Sequence, residues 1–153
     1  MTTISVARSD PTAPDARALI AALDAYLGHL YQPEDNHLLD PEQLTAPDMR
    51  FLLARRDGRA VGCGALRIDP SGYGEIKRMY VDPVHRGLGI AGSIMSALEQ
   101  LARAEGIGLL KLETGEPQRE AVRLYQRLGF TRCAAFGNYS CGGGASIFME
   151  KTL

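Results

Sequence analysis

Three glycines fall within six residues in Arg86-Gly87-Leu88-Gly89-Ile90-Ala91-Gly92, and an apolar-periodic segment (Ile94, Leu98, Leu101) follows at once. The pattern predicts a loop that turns tightly into a helix N-terminus. The first amides of a helix have no intrahelical acceptor, and the aligned peptide dipoles leave about half a positive charge there, so the element suits a phosphate. Side chains at Gly87 and Gly89 would hold an anion away from that backbone. On its own the string fits several templates. Gly87-x-Gly89-x-x-Gly92 has the spacing of the dinucleotide fingerprint, with Glu113 ending the next apolar run where a ribose acid would sit. In that fold the strand runs almost straight into the first glycine, whereas Asp82-Pro83-Val84-His85-Arg86 intervenes here. Gly87 and Gly92 also have P-loop spacing, but Ser93 stands where that loop needs a lysine. A capping turn without a ligand is the plainest alternative.

The elements that must position this loop follow from periodicity and turn chemistry. Thr3 to Arg8 reads as a strand, and Asp15 to about Tyr31 as an amphipathic helix, with Leu19, Ile20, Leu23, Tyr26, Leu27 and Leu30 at helical spacing. Asp40-Pro41-Glu42-Gln43-Leu44 predicts a short second helix, with a capping residue and a proline at its first position. Met49 to Arg56 and Arg59 to Asp69 are strands joined at Asp57-Gly58, a hairpin signal, and Tyr73 to Val81 is a third strand after Pro70-Ser71-Gly72. Beyond the loop come a helix from about Gly89 to Glu105, a strand from Leu109 to Thr114 parallel to the one before the loop, and a helix from Pro117 to Leu128. Thr131 to Phe136 and Ile147 to Lys151 close the sheet. Three antiparallel strands ahead of the glycines argue against a dinucleotide domain, which would open with a parallel strand-helix-strand unit.

Val81-Asp82-Pro83 followed by Arg86-Gly87-Leu88-Gly89-Ile90-Ala91 resembles the acetyl-CoA diphosphate loop of the GNAT superfamily of N-acetyltransferases. Leu124-Tyr125-x-x-Leu128-Gly129-Phe130 resembles that family's Leu-Tyr-x-x-x-Gly-Phe segment. The order of elements is similar to the GNAT fold throughout. The resemblance implies an α/β fold with a mixed, mostly antiparallel sheet, a central parallel pair splayed around the cofactor, and helices on both faces.

By the same resemblance, the backbone of Met79, Tyr80 and Val81 binds the pantetheine arm of acetyl-CoA, pairing with it like an added strand. The amides of Gly87, Leu88, Gly89, Ile90, Ala91 and Gly92 surround the diphosphate, with Arg86 beside it. Gln118 stands where many members carry asparagine and can make the same amide hydrogen bonds with one more methylene. Tyr125 protonates the departing thiolate, a task suited to a phenol of ordinary pKa about 10. Glu75, eleven residues before Arg86, is the candidate base for the amine, either directly or through water, with an ion-paired glutamate beside Lys77 and Arg78 as the alternative. On a regular strand Glu75, Lys77, Met79 and Val81 share one face, and Ile76, Arg78 and Tyr80 share the other.

The implied reaction moves acetyl from acetyl-CoA to a primary amine of a small molecule by direct attack in a ternary complex. A protein N-terminal or lysine acetyltransferase, a non-catalytic acyl-CoA-binding module and an NAD-dependent oxidoreductase are the alternatives. His29 reads as an exposed or packing residue, His85 as solvated, and His37 as lying where the family's first loop lines the acceptor pocket. Asn138 and Tyr139 flank that pocket without being assigned a role. Cys63 reads as a small buried residue, and Cys63, Cys133 and Cys141 lack metal-ligand spacing, so no metal is expected.

Composition bounds the rest. A chain of 153 residues, 45% hydrophobic, predicts one domain with a sizeable core. A net charge of −1 offers no basic field for nucleic acid. No apolar run reaches the roughly 20 residues of a membrane span, and no secretory signal opens the chain, so a cytoplasmic protein with reduced thiols is expected. A homodimer is common in proteins of this kind.

Overall fold

The computed structural model describes residues 3–30, 39–137 and 146–153. Seven strands form one sheet: β1 (Ile4–Arg8), β2 (Met49–Arg56), β3 (Arg59–Ile68), β4 (Gly74–Val81), β5 (Leu109–Gly115), β6 (Thr131–Arg132) and β7 (Ser146–Thr152). Their spatial order is β1-β2-β3-β4-β5-β7-β6. Every neighbouring pair is antiparallel except β4 and β5, the strands on either side of the glycine loop and its crossover helix. The dinucleotide architecture is therefore excluded, because its sheet is mostly parallel.

Helices cover both faces. α1 (Pro14–Leu30) packs Leu19, Ile20, Leu23 and Leu27 on Phe51, Leu53, Cys63, Ala65 and Tyr80. α2 (Ile90–Ala104) and α3 (Arg119–Arg127) lie on the other face, where Ile90, Ile94, Met95, Leu98 and Tyr125 join Leu66, Ile76, Leu110, Leu112 and Met149. Close seating of α2 depends on Gly64, where an added Cβ would stand 2.8 Å from Ile94 Cγ2.

Three expectations change. The second helix is a single 3-10 turn, Gln43–Thr45. Asp40 Oδ1 accepts from Gln43 N at 2.8 Å and Gln43 Oε1 accepts from Asp40 N at 2.9 Å, a reciprocal cap, but Ala46 swings to ψ 152 ahead of Pro47 and ends the turn. The strand expected over Thr131 to Phe136 keeps only Thr131–Arg132. The chain leaves the sheet edge beyond Cys133, and the Phe136 ring packs edge-on to Tyr73 and Phe148, with centroids 5.6 and 5.5 Å away.

The third change concerns β4. Cys63 pairs with Tyr80 and Ala65 with Lys77, so Arg78 and Met79 together oppose Gly64. This β-bulge, with Arg78 at φ 55, breaks the alternation. Glu75, Lys77 and Tyr80 share the α1 face with the Arg78 side chain, whereas Ile76, Met79 and Val81 share the α2 face. Glu75 and Lys77 are thereby separated from Met79 and Val81.

Candidate active site

The parallel pair is short. Gly74, Glu75 and Ile76 pair with Leu110, Lys111 and Leu112, and there the ladder stops, although β4 continues to Val81 and β5 to Gly115. Among the described residues the ladder between β4 and β5 therefore ends at Ile76. A cleft of about 430 Å³ lies beside the C-terminal half of β4, beyond the end of that ladder. Met79, Tyr80 and Val81 form one wall, Arg86, Gly87, Gly89, Ile90, Ala91 and Gly92 the end, and Gln118 and Tyr125 the opposite wall.

Local sequence explains the glycine end. Asp82 caps a 3-10 turn, Pro83–His85, by accepting from Val84 N at 3.0 Å. Gly87 and Gly89 then take φ of 83 and 77, which strain any residue carrying a Cβ, and Gly89 becomes the N-cap of α2. Gly89 has no side chain to cap this helix, so among the described residues the amides of its first turn have neither an intrahelical nor a side-chain acceptor. Nothing lies within 4 Å of where a Cβ would stand on Gly87, Gly89 or Gly92. An uncapped, glycine-bared helix terminus opening into a cleft fits a diphosphate. Leu88 is the one loop residue outside the cleft wall, its side chain 45% exposed.

Arg86 lines the cleft, with Nε donating to Val81 O at 3.2 Å and the guanidinium 6.0 Å from the Tyr80 ring centre. Gln118 is the N-cap of α3, and the Thr114 hydroxyl at the end of β5 donates to its Oε1 at 3.3 Å, which fixes the amide against the cleft. Tyr125 is buried, edge-on to Phe130 at 5.9 Å, and burial pushes its phenol above the ordinary tyrosine range. It therefore keeps its proton through neutral pH, as a general acid must.

Glu75 is not brought into this cleft. It sits one residue inside the point where β4 and β5 part, on the α1 face and 3% exposed. Lys77 Nζ lies 2.9 Å from one carboxylate oxygen and Arg67 Nη1 4.0 Å from the other. It is ion-paired, as the alternative expected, but buried.

Other residues enter the site unforeseen. Leu23 and Tyr26 reach the cleft from α1, and Glu120, Ala121, Leu124 and Arg127 from α3. Helical spacing put Leu23 and Tyr26 on one face, but only the fold shows what that face meets. His85, expected to be solvated, lines the cleft. His29 is exposed. Cys63 is fully buried, its Sγ donating to Arg78 O at 3.2 Å and its thiol pushed up to about 12 by burial, which excludes it as a nucleophile at neutral pH. His37, Asn138, Tyr139 and Cys141 lie outside the described residues.

The model of the acetyltransferase (GNAT) family matches residues 16–130. The chain belongs to the GNAT acetyltransferase family. As a GNAT protein it is 47% identical, over the full length of both chains, to an IAA acetyltransferase of Azospirillum brasilense. A crystal structure from Klebsiella pneumoniae described as an acyl-CoA N-acyltransferase superposes with a TM-score of 0.83 at 38% identity, covering 99% of this chain and 98% of that one. The PaiA N-acetyltransferase of Thermoplasma acidophilum, solved with coenzyme A, shares the fold at a TM-score of 0.76 and 20% identity, covering 99% of each chain. The GNAT chain is thus an acetyltransferase by family, with the expected sheet and parallel pair. Among the described residues no helix is long and apolar enough to cross a membrane.

Proposed function

We propose that this GNAT protein transfers an acetyl group from acetyl-CoA to a primary amine of a small molecule, with both substrates bound together. The observation that carries the proposal is the glycine terminus of α2 opening into a cleft walled by β4 and α3, beyond the point where the β4–β5 ladder ends. The thioester supplies an electrophilic carbonyl and a thiolate leaving group. The amides of residues 87–92 hold the diphosphate with Arg86 beside them, while the backbone of Met79, Tyr80 and Val81 pairs with the pantetheine amides. Gln118, oriented by Thr114, adds an amide contact.

Tyr125 Oη delivers a proton to the departing sulfur. Glu75 lies outside the cleft, held by Lys77 and Arg67, and accepts the amine proton through water from the α1 face. Full-length similarity to an IAA acetyltransferase supports a small-molecule acceptor over a protein tail. The free thiols of Cys63 and Cys133 fit a reducing compartment such as the cytoplasm.

The test is thiol release from acetyl-CoA with a panel of small amines, alongside thermal shifts with acetyl-CoA and NAD(H). Amine-dependent release with stabilisation by acetyl-CoA alone is expected. Stabilisation without release for any amine would leave a binding module, and stabilisation by NAD(H) instead would overturn the cofactor assignment.

A further inference from the structure

His85 ends the turn that precedes the glycine loop and lines the cleft beside Arg86 and Gly87. Arg56 meets it at the end of β2, with Nη1 3.1 Å from His85 Nδ1. A guanidinium has donors and no acceptor, so Nδ1 must present its lone pair and the ring proton resides on Nε2.

Both partners are held by backbone. Arg56 pairs with Arg59 across the tight Asp57-Gly58 reversal, where φ is 49 and 85. His85 N donates to Asp82 O at 2.9 Å. Arg56 Nε is buried without a hydrogen-bond partner among the described residues, so the guanidinium keeps this pose at a cost rather than by satisfying its whole donor fork.

The geometry points to His85 as a further cofactor-binding residue, whose Nε2–H donates to a phosphate of acetyl-CoA, and to Arg56 as the positioning residue that selects this tautomer. The inference rests on the acetyl-CoA reading of the cleft. It adds a side-chain donor with a fixed proton to a site otherwise built from main-chain amides and Arg86. The turn that brings the ring to the loop is rigid, because Pro83 fixes its own φ and Asp82 caps it.

Nitrogen-15 spectra of the imidazole in the ligand-free protein test the first half. A protonated Nε2 with a bare Nδ1 is expected, mixed tautomers in Arg56→Leu, and recovery in Arg56→Lys. A proton on Nδ1, or no change in Arg56→Leu, overturns the positioning role.

For the second half, His85→Phe is expected to weaken acetyl-CoA binding about tenfold, the usual scale for one phosphate-directed hydrogen bond. His85→Gln, whose amide nitrogen falls near Nε2, should recover most of it. The loss in kcat/KM should be smaller than twofold with S-acetyl-N-acetylcysteamine, a thioester without phosphates. Equal losses with both thioesters, or unaltered acetyl-CoA affinity in His85→Phe while the wild type binds, overturn the inference alone. A wild type that does not bind acetyl-CoA removes the cleft assignment along with it.

Discussion

The two faces of β4 solve different problems. On the α2 face the strand ends in Met79 and Val81 beside the cleft and a glycine loop, so what the surface offers a ligand is main chain. On the α1 face, Arg67, Glu75, Lys111 and Glu150 stand opposite one another across four strands, alternating in sign, and Lys77 adds a 2.9 Å ion pair to Glu75. Lys111 also lies 5.3 and 5.2 Å from the Tyr73 and Phe136 ring centres. One face presents main chain to a cleft, and the other holds its charges by pairing them.

Breaking the open face should have the largest effect. Gly89→Asp puts a carboxylate against the expected diphosphate and strains a left-handed position, so acetyl-CoA affinity should fall at least about a hundredfold by calorimetry. Retained affinity would show that the loop does not bind the cofactor. Tyr125→Phe keeps the ring packing and removes the proton, so kcat should fall about a hundredfold with KM little changed. An unchanged rate would remove Tyr125 as the acid.

The bulge that separates the faces can be probed by stability. Arg78 Nη1 lies 2.6 Å from Asp24 Oδ1 and its Nε donates to Leu39 O at 2.8 Å, while its φ of 55 is costly for a residue with a Cβ. Both Arg78→Ala and Arg78→Gly lose these contacts, but only glycine relieves the backbone. Urea unfolding should therefore find the glycine variant more stable than the alanine variant by about 1 kcal/mol. The reverse order would argue against the left-handed bulge.

The smallest effect at neutral pH concerns Cys63. Its folded thiol pKa, about 12, lies above the ordinary 9.0, so the stability it contributes is complete below pH 9 and is lost as pH rises toward 12. Between pH 9 and 11 the wild type should lose more stability than Cys63→Ala. Parallel losses would mean that the thiol is not held neutral by the fold.

Sequence was most informative where conformation is local. Asp57-Gly58 fixes a hairpin by turn chemistry, and Met49–Arg56 follows the predicted strand to the residue. The glycines of the loop announce their own dihedrals. The bulge was not legible, because nothing in Arg78 favours positive φ. Its geometry comes from pairing with β3 and from Asp24 and the Leu39 carbonyl, all distant in sequence. The same holds for Leu23, Tyr26 and the His85–Arg56 contact, which exist only once α1 and β2 are in place. Glu75 was found by spacing, but its two cationic neighbours decide its setting, and one of them sits on another strand.

The bulge absorbs the extra residue in β4, so pairing with β3 stays in register on either side of it. Deleting Arg78 alone would restore strict alternation, with Met79 opposite Gly64, and would leave every later residue on its face: Met79 and Val81 toward α2, Tyr80 toward α1. A single lost codon would therefore straighten the strand and remove its hold on Asp24 and the Leu39 carbonyl, while every other side chain offered to either face stays in place.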